Sequence, residues 1–150
     1  MQYILLQEQD TLALGSNLAR VLKSGMIIYL QGDLGTGKTT LVRSILGQLG
    51  QKMPIKSPTY TLVESYYLGK WTIHHFDLYR LHSPQEWDDM GLNDLFTCDA
   101  LCFIEWPEKA ATFLPTADWQ ILLSWMQQGR NVSIAASTFL GQSCLKLLAN

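Results

Sequence analysis

Charge is scarce in this 150-residue chain: Asp, Glu, Lys and Arg make up 16% of it, against about 25% in typical domains. Basic residues are scarcer still, eleven against thirteen acidic ones, for a net charge of −2. A strongly basic face is therefore missing, which argues against unaided nucleic-acid binding. The shortage leaves much uncharged surface, compatible with a chain that works against a partner, although eleven glutamines would give a soluble domain the same look. Cysteine is limited to Cys98, Cys102 and Cys144, an odd number without framework spacing. That excludes a disulfide scaffold and points to a reducing, cytoplasmic compartment. Cys98 and Cys102 have no second pair to complete a zinc site, so buried thiols are expected. Long apolar runs are absent: stretches such as Ala100–Ile104 are far short of the roughly 20 residues that cross a bilayer. The N-terminal MQYILLQEQD reaches polar residues too soon for a secretory leader. No repeat, low-complexity tract or linker interrupts the chain, and its length suits a single domain over residues 1–150.

What is present is a sequence of buried strands and amphipathic helices. A short strand is expected over Gln2–Leu6. Leu14, Leu18, Val21 and Leu22 share one helix face, with Asp10 as N-cap and Gly25 as the stop. Met26–Gln31 is a continuous apolar run of the kind found in central strands. A helix follows over Lys38–Leu49. Tyr60–Leu68 and Trp71–Tyr79 read as a hairpin around Gly69-Lys70. Ser83-Pro84-Gln85-Glu86 is a helix start with cap, N1 proline and capping-box glutamate. Ala100–Trp106 is another buried strand, and a short helix is expected after Pro107. Trp119, Ile121, Leu123 and Trp125 alternate on one face, answered by Val132, Ile134 and Ala136 across the Gln127–Arg130 turn, with both tryptophans expected in the core. Leu140–Leu148 closes the chain as a helix. This order predicts an α/β architecture, a three-layer P-loop NTPase-like fold whose mixed central sheet carries antiparallel hairpins.

The sharpest chemical signal is Gly32-Asp33-Leu34-Gly35-Thr36-Gly37-Lys38-Thr39, which fits G-x-x-x-x-G-K-[ST] between a predicted strand and a predicted helix. Glycines let backbone N–H groups turn inward on phosphates, and the helix N-terminus adds a positive dipole end. Lys38 is placed to neutralise the β- and γ-phosphates, Thr39 to bind Mg²⁺, and Thr40 to meet the α-phosphate. Such a loop also needs an acid at the end of a neighbouring strand. Glu105, ending Leu101–Glu105, and Asp77, in His75-Phe76-Asp77, both qualify. His74 and His75 are strand neighbours on opposite faces, so at most one joins the site. Tyr79 and Arg80 read equally as partner contacts or as packing and surface charge.

GDLGTGKTT, SPTYTLVESYY (Ser57–Tyr67), HFDLYRL (His75–Leu81) and IEWPEK (Ile104–Lys109) occur in this order, and together they resemble the TsaE family of bacterial tRNA threonylcarbamoyladenosine (t6A) biosynthesis. The resemblance covers nearly the whole chain. It implies a small P-loop ATPase that binds ATP with Mg²⁺ and hydrolyses it slowly. It also implies two larger partners, TsaB and TsaD, with tRNA met only through the complex, where threonylcarbamoyl is attached to the adenosine next to the anticodon. By the same resemblance the nucleotide-binding residues are Thr11, near the base, Gly35, Thr36, Gly37, Lys38, Thr39, Thr40 and Arg130. The Mg²⁺ site residues are Thr39 and Glu105 together with Asp77, the family's functional aspartate, and Asp77, Glu105 and Lys38 carry the hydrolysis. Trp106 matches the family's tryptophan, and Ser57-Pro58-Thr59-Tyr60 stands where other P-loop proteins have a nucleotide-sensing switch. Thr36 stands where many members carry Ala and Asp33 where some carry Glu, with side chains expected to point away from phosphate. Two other functions compete. One is a P-loop kinase for a small metabolite, disfavoured because only four arginines are present and none cluster into a lid. The other is a nucleotide-gated binding module in which hydrolysis is incidental.

Overall fold

The apolar runs of the sequence become the interior strands of one sheet. A computed structural model describes residues 1–149. Its seven strands are β1 (Gln2–Leu5), β2 (Ile27–Gln31), β3 (Val63–Leu68), β4 (Trp71–Asp77), β5 (Ala100–Glu105), β6 (Trp119–Trp125) and β7 (Arg130–Ala136), and they lie in the order β1-β7-β6-β2-β5-β4-β3. β6, β2, β5 and β4 run parallel. The hairpin partners β3 and β7 and the edge strand β1 are antiparallel to their neighbours. β5 is buried along its whole length, as a parallel strand covered on both faces requires.

Helices cover both faces, giving the three expected layers. On one face α1 (Glu8–Val21), α2 (Lys38–Gln48) and α4 (Phe139–Leu148) bury Leu14, Leu18, Leu41, Val42, Ile45 and Cys144 against Ile28, Leu30, Phe103 and Trp119. On the other, α3 (Pro84–Asp89) and two 3₁₀ turns, Leu92–Leu95 and Pro107–Ala110, enclose Phe76, Trp87, Cys102 and Ile104. Fully burying a Leu- or Phe-sized side chain is worth about 1.5–3 kcal/mol, so these two apolar layers hold the strand ends in place.

Several local expectations shift. Asp10 lies inside α1, not before it: its carboxylate accepts the N–H groups of Leu6 and Gln7, so it caps the helix from the third position. The first hairpin begins later than the aromatic run, because Leu62 adopts φ +62° and turns the chain into β3. The helix after Pro107 is a single 3₁₀ turn. Trp119 is fully buried, but Trp125 is 54% exposed: alternation sets its face, but at the end of β6 its neighbours are Gly35 and Arg130 and not the apolar core. Cys102 and Cys144 are buried and Cys98 is exposed; burial pushes the Cys102 thiol up to about 12.

Gly32, directly after β2, holds φ +130°, and a Cβ there would lie 2.1 Å from the Leu123 carbonyl oxygen. Neither strand can retreat, since β2 and β6 are hydrogen-bonded in register there. Gly32→Ala is therefore expected to cost about 2–4 kcal/mol of stability, read as a lowered midpoint in urea unfolding with unchanged slope.

Candidate functional site

The loop from Gly32 to Gly37 leaves the carboxyl end of β2, where open parallel sheets place their ligand crevices. Gly35 and Gly37 hold φ +78° and +102°, conformations that glycine adopts without steric cost, and Gly37 is the N-cap of α2. Thr36 is fully buried and its hydroxyl donates to the Asp33 carbonyl at 2.9 Å. Its side chain thus stabilises the loop from inside, leaving its backbone as the part available to a ligand.

Sheet register assembles the rest. Side chains two apart on a strand share a face. His75 and Asp77 therefore point to the α2 side of β4, and Glu105 does so on β5, paired in register with Asp77. Thr39, in the first turn of α2, meets them: its hydroxyl donates to Glu105 Oε1 at 2.8 Å and lies 3.1 Å from Oε2. His75 Nε2 lies 2.8 Å from the same Oε1. Asp77 accepts the Thr59 hydroxyl and the Tyr79 N–H, each at 3.1 Å.

A cleft of about 200 Å³ opens between these groups, lined by Gly35, Gly37, Lys38, Thr39, Thr40, Thr59, Asp77, Tyr79, Glu105 and Trp106 together with Leu34. The Lys38 ammonium crosses its floor and donates to the carbonyls of Gly32 and Asp33 at 2.7 and 2.9 Å. Burial holds it below the ordinary lysine value, against the opposing pull of Glu105, Asp77, Glu108 and Asp33. Burial, and then the Glu105 carboxylate, push Asp77 above the usual carboxylate range. Trp106 turns the chain out of β5 with φ +58°. This left-handed geometry is costly for a bulky residue, and Trp106 lies with its ring 4.2 Å from Lys38 Nζ and 5.1 Å from the Tyr79 ring. The cation–π contact makes the tryptophan a cover for the ammonium.

The structure thus brings together Gly35, Gly37, Lys38, Thr39, Thr40, Asp77 and Glu105. Thr11 and Arg130 do not line the cleft. Thr11 is buried in α1, and its hydroxyl has no partner among the described residues. Arg130 lies against Gly37 and over the Trp125 ring at 4.9 Å, its buried Nε likewise unpartnered among the described residues. His75 enters the site only through the fold; strand alternation from Asp77 was the signal for its face, but its contact with Glu105 needed the β4–β5 register. His74 turns away to Ser65, and Arg80 packs over the Tyr60 ring.

The donor set fits Mg²⁺. Thr39 and Glu105 present hard oxygen ligands from a helix start and a strand end, with Asp77 alongside. Among the described residues no group of three or more His, Cys, Asp or Glu forms a metal cage. Mg²⁺ in nucleotide sites needs none, since one or two carboxylates, water and phosphate oxygens complete its shell.

Comparison with known proteins places this geometry in a lineage. The family model described as "Threonylcarbamoyl adenosine biosynthesis protein TsaE" matches residues 5–132. The tRNA threonylcarbamoyladenosine biosynthesis protein TsaE of Haemophilus influenzae is 42% identical over 148 residues, covering 95% of this chain and 94% of the relative. That of Bacillus subtilis is 33% identical over 115 residues, 77% of this chain and 72% of the relative. The crystal structure of Bacillus subtilis YdiB superposes with a TM-score of 0.82 at 25% identity, over 99% of this chain and 93% of that one. With the phosphate loop at the carboxyl end of β2 and agreement along almost its whole length, the chain belongs to the TsaE family, whose members take part in t6A biosynthesis.

Proposed function

We propose that this chain binds ATP with Mg²⁺ in the Lys38–Glu105 cleft and hydrolyses it slowly. It does so as a cytoplasmic subunit that acts with TsaB and TsaD in threonylcarbamoylating the adenosine next to the tRNA anticodon. The observation that carries this reading is the convergence of the Lys38 ammonium, the Thr39 hydroxyl and the Glu105 carboxylate at the mouth of a glycine-bent phosphate loop. The single sheet, continuous from β1 to β3, supports one ATPase domain.

Each residue has a role that follows from its position. The loop N–H groups and the N-terminus of α2 cradle phosphate oxygens. Lys38 exchanges its carbonyl partners for phosphate oxygens when nucleotide enters. Thr39 and Glu105 hold the metal ion, which when bound supplies charge neutralisation on the phosphates. Asp77 lies beside them, where its carboxylate, kept protonation-prone by burial, orients the attacking water and accepts its proton. Thr11 Oγ1 and Arg130 Nε are buried without partners among the described residues; Thr11 is assigned to the base end of the nucleotide, and Arg130, which lies against Gly37, to a further nucleotide contact.

Hydrolysis by the isolated chain is expected to be weak. None of its four arginines lines the cleft, and an arginine finger contributes about 10³–10⁵ in rate where one is present. The same lack disfavours a kinase with an arginine lid. Leu34 (67% exposed) lines the cleft, and Tyr60 (81% exposed) directly follows Thr59 of its wall, an arrangement suited to docking of a partner over the bound nucleotide. Partner affinity should therefore depend on nucleotide state, and partner and ATP should tighten each other by the same factor. The test is reconstitution with TsaB and TsaD, following tRNA modification and phosphate release together, and measuring partner affinity with a non-hydrolysable ATP analogue, with ADP and without nucleotide. Equal affinity in all three states would rule out the coupling. A binding-competent but hydrolysis-dead variant that still supports modification would favour the gated binding module.

A further inference from the structure

His75 is completely buried on β4, between β5 and the edge strand β3, a place where an apolar side chain would avoid the cost of dehydrating an imidazole. Its Nε2 meets Glu105 Oε1 at 2.8 Å, while its Nδ1 has no partner among the described residues. A carboxylate only accepts hydrogen bonds, so the Glu105 contact places the ring hydrogen on Nε2. The same Oε1 receives the Thr39 hydroxyl at 2.8 Å. Two donors thus converge on one oxygen, one from β4 and one from α2, and leave Oε2 with a single longer contact to Thr39 at 3.1 Å. A glutamate at a strand end has three side-chain torsions, and a hydroxyl that must itself bind metal cannot be the only group restraining them.

We propose that His75 is a positioning residue: its Nε2–H, fixed in the sheet interior, holds the Glu105 carboxylate in the orientation in which Glu105 and Thr39 together accept Mg²⁺. His75 does not touch the ion or the nucleotide; it acts through Glu105. Such hydrogen bonds behind a metal ligand fix ligand orientation, and losing one typically costs about 10–100-fold in metal affinity or activity. The inference rests on the reading of the cleft as a Mg²⁺–nucleotide site.

The experiment is calorimetric titration of ADP into the full chain in EDTA and across a Mg²⁺ series. The wild type is compared with His75→Leu, which removes the donor, His75→Gln, whose amide reaches the Nε2 position, and His75→Asn, whose amide is too short to reach Glu105. Wild type and His75→Gln should share a Mg²⁺ midpoint to within a few-fold. His75→Leu and His75→Asn should need about 10–100-fold more Mg²⁺, while ADP affinity in EDTA stays unchanged in every variant. If His75→Leu does not fold, the Gln–Asn comparison alone decides: equal midpoints overturn the proposal. Parallel loss of ADP affinity in EDTA also overturns it, since that marks a merely structural histidine. A wild-type chain that binds no ADP, or binds it without regard to Mg²⁺, overturns the reading of the cleft itself, a result distinct from a wild-type Mg²⁺ response that His75→Leu leaves intact.

Discussion

Replacing Lys38 with alanine is expected to abolish detectable ATP hydrolysis and to weaken nucleotide binding by about 100-fold, with the fold retained. Among the described residues the ammonium is the one lysine group on the cleft wall, and it is held in reserve by two backbone carbonyls. A hydrogen bond to a charged group contributes about 1.5–3 kcal/mol, and each 1.4 kcal/mol is a factor of ten in affinity. Loss of the contacts to two phosphates therefore reaches the 100-fold range. Stability should change little: the substitution also removes a charge that burial disfavours, and water in the cleft can satisfy the freed carbonyls. Calorimetric titration with ATP, phosphate release and a thermal melt together check this. Unchanged affinity would remove the phosphate site from this cleft.

Neutralising the acidic pair separates metal binding from chemistry. Glu105→Gln should lose the Mg²⁺-dependent part of nucleotide affinity and lower hydrolysis about 100-fold or more, the equivalent of about 2.7 kcal/mol of transition-state stabilisation. Asp77→Asn should lower hydrolysis comparably while keeping most of the Mg²⁺-dependent affinity, because Thr39 is bonded to Glu105 and not to Asp77. Both variants should melt higher than the wild type when nucleotide-free. The reason is electrostatic: two carboxylates share a buried space, and burial with the Glu105 charge raises Asp77 above its ordinary range. Asp77 thus ionises at a higher pH folded than unfolded. Between those two values the folded state holds more protons, so the Asp77 contribution to stability falls as pH rises through that window. Removing either charge should remove that loss. A wild-type hydrolysis rate in either variant would show that residue to be misassigned, and a lowered melting temperature in both would contradict the electrostatic account.

The chain's own order of residues determined the phosphate loop, the alternation of strands and helices and the layered α/β class. These depend on local chemistry: glycines at 32, 35 and 37 that tolerate positive φ, apolar runs too continuous for an exposed strand, and a lysine and threonine that open an amphipathic helix. Asp77 and Glu105 were legible as acids at strand ends, because the apolar runs that end in them are themselves local. Which acid faces Thr39 was not legible from residue pattern, and only the family resemblance paired Thr39 with Glu105. That depends on the β4–β5 register, which pairs Asp77 with Glu105, and on α2 packing over that face, and both are contacts between segments distant in the chain. The same reason hid His75: alternation fixes the face of a side chain, but the partner across the sheet is set by strand pairing. Trp125 shows the converse limit. Its alternation with Trp119 is regular in sequence, yet it ends β6 half-exposed beside Gly35 and Arg130, and only tertiary packing decides that.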